Sequence, residues 1–392
     1  MGSIPTHIPA SAPTPTPARG GRLDQPGRVP GVDLARGLAV TGMFAAHLLT
    51  VPDVVWGRPS SWLGLVRGHS SILFALLAGV SLTLAGPGRE RRGTSGPHGR
   101  RSSLAARGLV LWALGLALLL LDLPVVVILP AYGLLFVVAA GLVRFSTRAL
   151  VGVAATLALT MPLAVAAVDD LLWPPSPGPS DWLRQLAGWH YPFVLWAAFL
   201  AAGMASGRLL RTDRRCGGML MLGVGAALAV VGHGLLGPLG NGAASQNPAP
   251  ATSTWLLATL TDAPHSSGMG ETVGSGGLAL AVAGGCVLLA GPGSWAARLL
   301  WPLRALGAMP LTAYVSHLVA WGLWLAVERR SHPNLDPLAD FRALDPFWPT
   351  TGAVLIGCAL WTVLAGRGPL ERLVAAATSG LVHIVARARG HH

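Results

Sequence analysis

One stretch of helical length, Gly31 to His47 (GVDLARGLAVTGMFAAH), places an acid, an arginine and a histidine inside an otherwise apolar run. Ionisable side chains in a membrane helix are costly, and that cost makes them functional candidates. Arg36 and His47 stand eleven positions apart. At 100° per residue the spacing returns to nearly the same helix face, about 16 Å further along the axis. A single face therefore offers a cationic anchor near one membrane surface and a nucleophile or base towards the other. Asp33, three positions before Arg36, is placed to steer it through an ion pair; the plainer alternative is that the two charges neutralise each other at a helix end.

The remaining chemistry-bearing residues are mostly histidines. Under the topology argued below, His47, His69, His190, His233, His265, His317 and His332 all fall in outer loops or in the outward parts of spans. Loop histidines are ordinarily solvated. His47, His233 and His317 differ because they interrupt apolar helices. In LTAYVSHL, His317 follows Tyr314 by three positions, so the two share a helix face; a histidine held structurally in the core is the alternative. TDAPHSSGMGE puts His265 and Glu271 together near the outer mouth. Standard signatures are missing: there is no Walker loop, GxGxxG, HExxH or GxSxG. The soluble glycerolipid acyltransferase pattern, His and Asp separated by four residues, is missing too, since five residues separate His47 from Asp53.

The elements that must position these groups are membrane helices. Hydrophobic residues make up 52% of the 392-residue chain and charged residues 11%, against roughly a quarter charged in an ordinary soluble domain. Apolar runs predict an all-α, polytopic membrane protein with about ten spans, near 31–51, 70–87, 107–121, 124–143, 149–167, 192–210, 216–236, 273–291, 305–327 and 349–365. Segment 369–389, richer in arginine, reads as an interfacial helix or an eleventh span. Residues 1–30, rich in Pro, Thr, Ala and Gly, predict a disordered cytoplasmic tail, followed by one membrane domain over 31–368 and a C-terminal helix and tail over 369–392.

All 28 basic residues are arginines. With the N-terminus in the cytoplasm, 22 arginines fall on the inner side and 6 on the outer, for net charges of +17 and −5. This is a strong positive-inside pattern, so the basic balance reads as topology and contact with anionic lipid rather than nucleic-acid binding. The three cysteines, Cys216, Cys286 and Cys358, show no metal-ligand spacing and read as small hydrophobes. The all-arginine usage with abundant Ala, Gly and Leu suggests a GC-rich bacterial genome and hence a multi-pass bacterial plasma-membrane protein.

DLARGLAVTGMFAAH resembles the first span of the transmembrane acyltransferase superfamily, in whose bacterial O-acyltransferase branch an Arg-Gly opening leads to a histidine eleven positions on, as Arg36 leads to His47. SSILFALLAGVSLTLA (Ser70 to Ala85) resembles the second span of the heparan-α-glucosaminide N-acetyltransferase-like branch. APHSSGMGETVGSGGLAL (Ala263 to Leu280), RALGAMPLTAYVSHLV (Arg304 to Val319) and RGPLERL (Arg367 to Leu373) resemble later motifs of that branch and its YeiB-like relatives. One departure stands out. The lysosomal N-acetyltransferase carries its catalytic histidine in the loop after the first span, where this chain reads WGRPSSWLG.

The resemblance implies a membrane acetyltransferase that takes acetyl-CoA as cytoplasmic co-substrate and acetylates a sugar amine or hydroxyl, or another small molecule, on the far side. Arg36, Asp33, Arg107, Arg144 and Arg304 are then the candidates for the CoA phosphates, because guanidinium pairs bidentately with phosphate. His47, with His69 second, is the candidate base or acetyl carrier, Tyr314 and His317 its orienting partners, and His265 and Glu271 the acceptor's contacts. This reading requires no metal. Monomer and homodimer stay open. The competing class is a transporter or flippase for a cell-envelope intermediate, disfavoured by the lack of an internal repeat between the halves.

Overall fold

The computed structural model describes residues 23–25, 27–55, 57–84, 97–172, 180–332 and 334–389. Most of the expected cytoplasmic tail, residues 1–22, lies outside them. Among the described residues every regular element is a helix. The first half comprises α1 (Pro30–Leu48), α2 (His69–Leu84), α3 (Pro97–Leu119), α4 (Leu129–Leu142), α5 (Thr147–Leu172), α6 (Ser180–Leu186), α7 (Phe193–Thr212) and α8 (Arg214–Ala229). After α8 come α9 (Gly237–Ala244), α10 (Ser253–Ala258), α11 (Met269–Leu289), α12 (Trp295–Leu299), α13 (Trp301–Ala308), α14 (Pro310–Ser331), α15 (Ala339–Ala343), α16 (Phe347–Leu364) and α17 (Pro369–Arg389).

Local sequence explains the boundaries that matter for function. Pro30 and Pro310 open α1 and α14 at the position where a missing N–H costs nothing. Asp213 caps α8 by accepting from the backbone N–H groups of Arg215 and Cys216, at 2.8 and 3.0 Å. Met309 breaks the run expected over 305–327 into α13 and α14. Between α8 and α9, Val230–Leu236 winds as a π-helix, so His233 sits on a widened turn.

Among the described residues, seven helices are long and apolar enough to cross a membrane, or eight if the 3₁₀ turn Pro59–Val66 and α2, bent by 50° against each other, count as one span. The expected 124–143 span shrinks to the 14 residues of α4, because Asp122 takes a positive φ and Pro124 follows it. At the other extreme, the helical path from Arg214 to Ala244 runs on for 31 residues.

α1 packs on α13, α2, α11 and α14. Its closest approach is to α13. A Cβ built on Gly307 would stand 1.8 Å from the Asp33 carbonyl oxygen, and one on Gly37 2.2 Å from that of Leu303. Small residues permit this backbone-to-backbone approach, and it sets α1 in register with the chain that leads into α14.

Candidate functional site

α1 turns Asp33 and Arg36 inward. Asp33, 2% exposed, receives Arg28 Nε at 2.5 Å and Arg36 Nη1 at 3.0 Å. Arg36 Nη1 also donates to the carbonyl of Gly307 at 3.2 Å, and Nη2 to Ser81 Oγ on α2 at 2.8 Å. The guanidinium is thus triangulated between three helices, while Leu38 on the other side of α1 is exposed. Arg107 and Glu371 lie within electrostatic reach of Arg36, and Arg367 within reach of Arg107. Arg107 also lies over the Phe136 ring, 5.1 Å from its centroid.

The other two arginine candidates are placed differently. Arg304 is fully buried and already bonded, donating to the Ala297 carbonyl at 2.7 Å and to Asp24 at 2.6 Å. Arg144 is exposed in the turn after α4, whose Val143 and Phe145 carbonyls accept from Arg208.

At the far end of α1, His47 Nδ1 lies 3.0 Å from His317 Nε2 on α14, and the rings stack with centroids 5.3 Å apart. His317 is 1% exposed and wedged between Phe44 and Tyr314, at centroid distances of 4.5 and 5.2 Å. Its Nδ1 is buried with no hydrogen-bond partner among the described residues. The Tyr314 hydroxyl accepts from the Ile128 N–H at 3.3 Å. The C-terminus of α1 is held by Arg342 of α15, which donates to the carbonyls of His47 (3.1 Å) and Ala46 (3.2 Å). Beside this clasp an open groove of about 400 Å³ is lined by Thr50, Asp336, Leu338, Ala339, Arg342 and Ala343, a volume typical of small-molecule sites.

A second group gathers at the same end. His69 opens α2 and places Nδ1 3.0 Å from the Arg67 carbonyl and Nε2 3.4 Å from His233 Nε2. His233 Nδ1 meets Asp262 at 2.8 Å, and the second Asp262 oxygen accepts from Asn241 at 2.8 Å. Burial works to raise the Asp262 pKa, but the hydrogen bonds from His233 and Asn241 outweigh it and hold the carboxyl below its ordinary value. Gly274 of α11 lies against the His233 ring, where a Cβ would stand 2.8 Å from it.

Glu271 is buried and fully engaged: one oxygen accepts from the His265 N–H at 2.6 Å, the other from the Ser267 N–H at 2.8 Å and from the Ser266 hydroxyl. It thereby holds a turn in which His265 and Ser267 both have positive φ. His265 lies against Tyr191, and the two, with Glu271 and Gly68, line a cavity of about 10 Å³, room for roughly one water. Desolvation lowers the His265 pKa, and the Arg67 charge adds to that. His265 is also within electrostatic reach of both His47 and His69.

The structure therefore pairs His47 with His317 and collects His69, His265 and Glu271 nearby, while Arg36 and Arg107 sit together at the other end and Arg304 and Arg144 stand apart. Sequence reasoning missed Ser81, Arg342 and Asp262, and assigned His233 no role. Only His233 left a signal, a histidine interrupting an apolar helix; its partner lies 29 residues away with no motif spacing.

A family model described as heparan-alpha-glucosaminide N-acetyltransferase, catalytic, matches residues 28–236, just over half the chain. The match spans α1 and α2 with Arg36, His47, His69 and His233, and ends before Asp262, His265 and His317. No curated protein matches the chain.

Proposed function

The chain belongs to the heparan-alpha-glucosaminide N-acetyltransferase catalytic family, and from that premise we propose that it moves an acetyl group from cytoplasmic acetyl-CoA to an acceptor amine or hydroxyl, a sugar in first place, on the opposite side of the membrane. The family indicates a transmembrane acetyltransferase; the donor's path, the acceptor and the residue roles are this proposal's own. The observation that carries it is the geometry of α1: Arg36 and His47 both face the interior of the helix bundle, about three turns apart.

In this reading Arg36, with Arg107 beside it, receives the CoA phosphates at the cytoplasmic lip. Asp33 and Ser81 hold the guanidinium in place. Arg304, already paired with Asp24, serves that lip as a brace, and Arg144 stands at its edge. The pantetheine arm follows the face of α1 towards His47.

At His47 the tautomer follows from its neighbour. In this reading His317 carries its proton on Nδ1 and leaves Nε2 as an acceptor. His47 then donates through Nδ1 and keeps its own Nε2 lone pair. That nitrogen takes the acceptor's proton as the new C–N or C–O bond forms and the thioester C–S bond breaks; the proton then passes to the departing thiolate, so base and acid are one imidazole. Tyr314 and His317 position this ring, and the groove beside Arg342 admits the acceptor. His265, in the turn that Glu271 holds, is a further candidate contact for the acceptor, and His69 is the second candidate base. The transporter or flippase alternative gains no support from the family match.

The test is purified protein with radiolabelled acetyl-CoA. The wild type should bind it, and His47→Ala should abolish acetyl transfer while retaining binding. Full transfer by His47→Ala would remove the proposed role, and a wild type without CoA affinity would remove the enzyme reading.

A further inference from the structure

Arg342 clasps the end of α1 with only part of its guanidinium. Nε and Nη2 donate to the His47 and Ala46 carbonyls at 3.1 and 3.2 Å, and Nη1 makes no hydrogen bond among the described residues. Helix polarity explains the first two contacts, because the C-terminus of a helix carries partial negative charge and draws a cation. It leaves Nη1 unspent, on a side chain that lines the groove of about 400 Å³ at this end of α1.

What Arg342 lacks is a carboxylate. Arg67, Arg184 and Arg329 each pair with an aspartate, at 2.8, 2.9 and 2.9 Å. Arg342 has two aspartates on its own short segment and, among the described residues, pairs with neither. Asp336 lines the same groove, but one of its oxygens is spent on the N–H groups of Leu338 and Ala339, at 2.9 and 2.8 Å. Asp340 accepts from the Asp336 N–H at 2.9 Å. Arg67 adds to the imbalance. It donates to the Val51 carbonyl at 2.6 Å and lies within electrostatic reach of Arg342, so two cations converge on the end of α1 and the chain just after it. An anion in the groove relieves that repulsion.

We propose that Arg342 is a specificity-determining residue of the acceptor groove, holding an anionic group, carboxylate or phosphate, on a sugar whose amine or hydroxyl is acetylated at His47. The inference deepens the acetyltransferase reading and rests on it for the transfer, though not for anion binding. Carboxylate and phosphate both present paired oxygens that suit a planar guanidinium. The groove has the volume of a small-molecule site. Arg342 is bonded to the carbonyl of His47 itself, so an anion on this guanidinium is anchored to the same turn of α1 as the imidazole. The second Asp336 oxygen and the Thr50 hydroxyl, both on the groove wall, are left for the sugar's hydroxyl groups.

The experiment is equilibrium binding by calorimetry on the full-length protein in nanodiscs of zwitterionic lipid. Three sugars share an amine and differ in the anionic group: glucosamine, glucosamine 6-phosphate and muramic acid. The wild type should bind one or both acidic sugars roughly tenfold or more tightly than glucosamine, the gain expected of a charge-assisted pair. The arm that shows the gain distinguishes phosphate from carboxylate. Arg342→Gln should remove the difference, and Arg342→Lys should keep part of it. Loss of the clasp alone would weaken all three sugars alike, so the ratio separates recognition from structure. Thr50→Asp leaves the clasp in place and should turn the preference towards glucosamine, which keeps the test open where Arg342→Gln does not fold. Equal affinities in the wild type, no measurable binding of any of the three, or a preference that survives Arg342→Gln would overturn the proposal. Transfer is read separately with radiolabelled acetyl-CoA. An acidic preference in a protein that transfers no acetyl group would leave the anion site standing and the transferase reading refuted; transfer without that preference would do the reverse.

Discussion

Asp33→Asn is the most informative single change in the α1 helix. It preserves shape and removes one charge. Asp33 is 3% exposed at its side chain and balances two guanidinium groups, Arg28 at 2.5 Å and Arg36 at 3.0 Å. Deleting one partner of a fully buried pair costs about 3–5 kcal/mol, because the other charge is left uncompensated. Arg28 and Arg36 keep 28% and 20% of their side-chain surface exposed, so solvent recovers part of that loss, and about 2 kcal/mol is the working figure. Arg36 retains its bonds to Ser81 and Gly307, so the helix packing should survive. The assay is thermal or denaturant unfolding in a fixed detergent, wild type beside variant, at two ionic strengths. The variant should unfold earlier, and the gap should change little with salt because the pair is buried. An unchanged midpoint would mean that the carboxylate contributes nothing net, and that Arg36 is not held by it.

Further outcomes follow from neighbouring features. Arg36→Ala should weaken acetyl-CoA binding by roughly tenfold or more in calorimetry, for the loss of about 1.5–3 kcal/mol of charge-assisted hydrogen bonding, whereas Arg144→Ala, exposed and apart, should change it far less. Arg342→Met removes both donors to the Ala46 and His47 carbonyls; unfolding should register a loss of about 1–3 kcal/mol, and transfer should fall in kcat more than in the KM for acetyl-CoA. Glu371 accepts from the N–H groups of Leu311 and Thr312 at the start of α14, so Glu371→Ala should destabilise by about 1–2 kcal/mol in the same unfolding assay. His265 supplies a pH test. Its folded pKa lies below the ordinary 6.5, so the fold favours the neutral ring; its contribution is fully present above pH 6.5 and lost as pH falls below it. Unfolding midpoints should drop on acidification from that point, and His265→Gln should flatten this part of the curve.

Much of this was legible before the fold. Apolar periodicity placed α1 within a few residues, and the eleven-residue spacing put Arg36 and His47 on one face, where both turn inward. The three-residue spacing likewise brought Tyr314 and His317 together. What the sequence withheld were partners set by tertiary approach. His47 meets His317 across 270 positions, Arg36 meets Gly307 across 271, and Arg342 caps α1 across 295. No local pattern encodes these, because they depend on how closely α1 can approach α13, which glycines at 37 and 307 decide. The carboxylate at 271 illustrates the converse: an acid beside a histidine reads as a binding pair, yet its oxygens are taken by the backbone of its own turn.

The central claim is that one face of α1 carries phosphate recognition at one end and the reacting imidazole at the other. A cryo-electron microscopy map of the protein with CoA tests it most directly. The account predicts density for the nucleotide phosphates at Arg36 and Arg107, with the pantetheine arm running along α1 and its sulfur beside His47. CoA seated elsewhere, or a sulfur directed away from the His47–His317 pair, would contradict it.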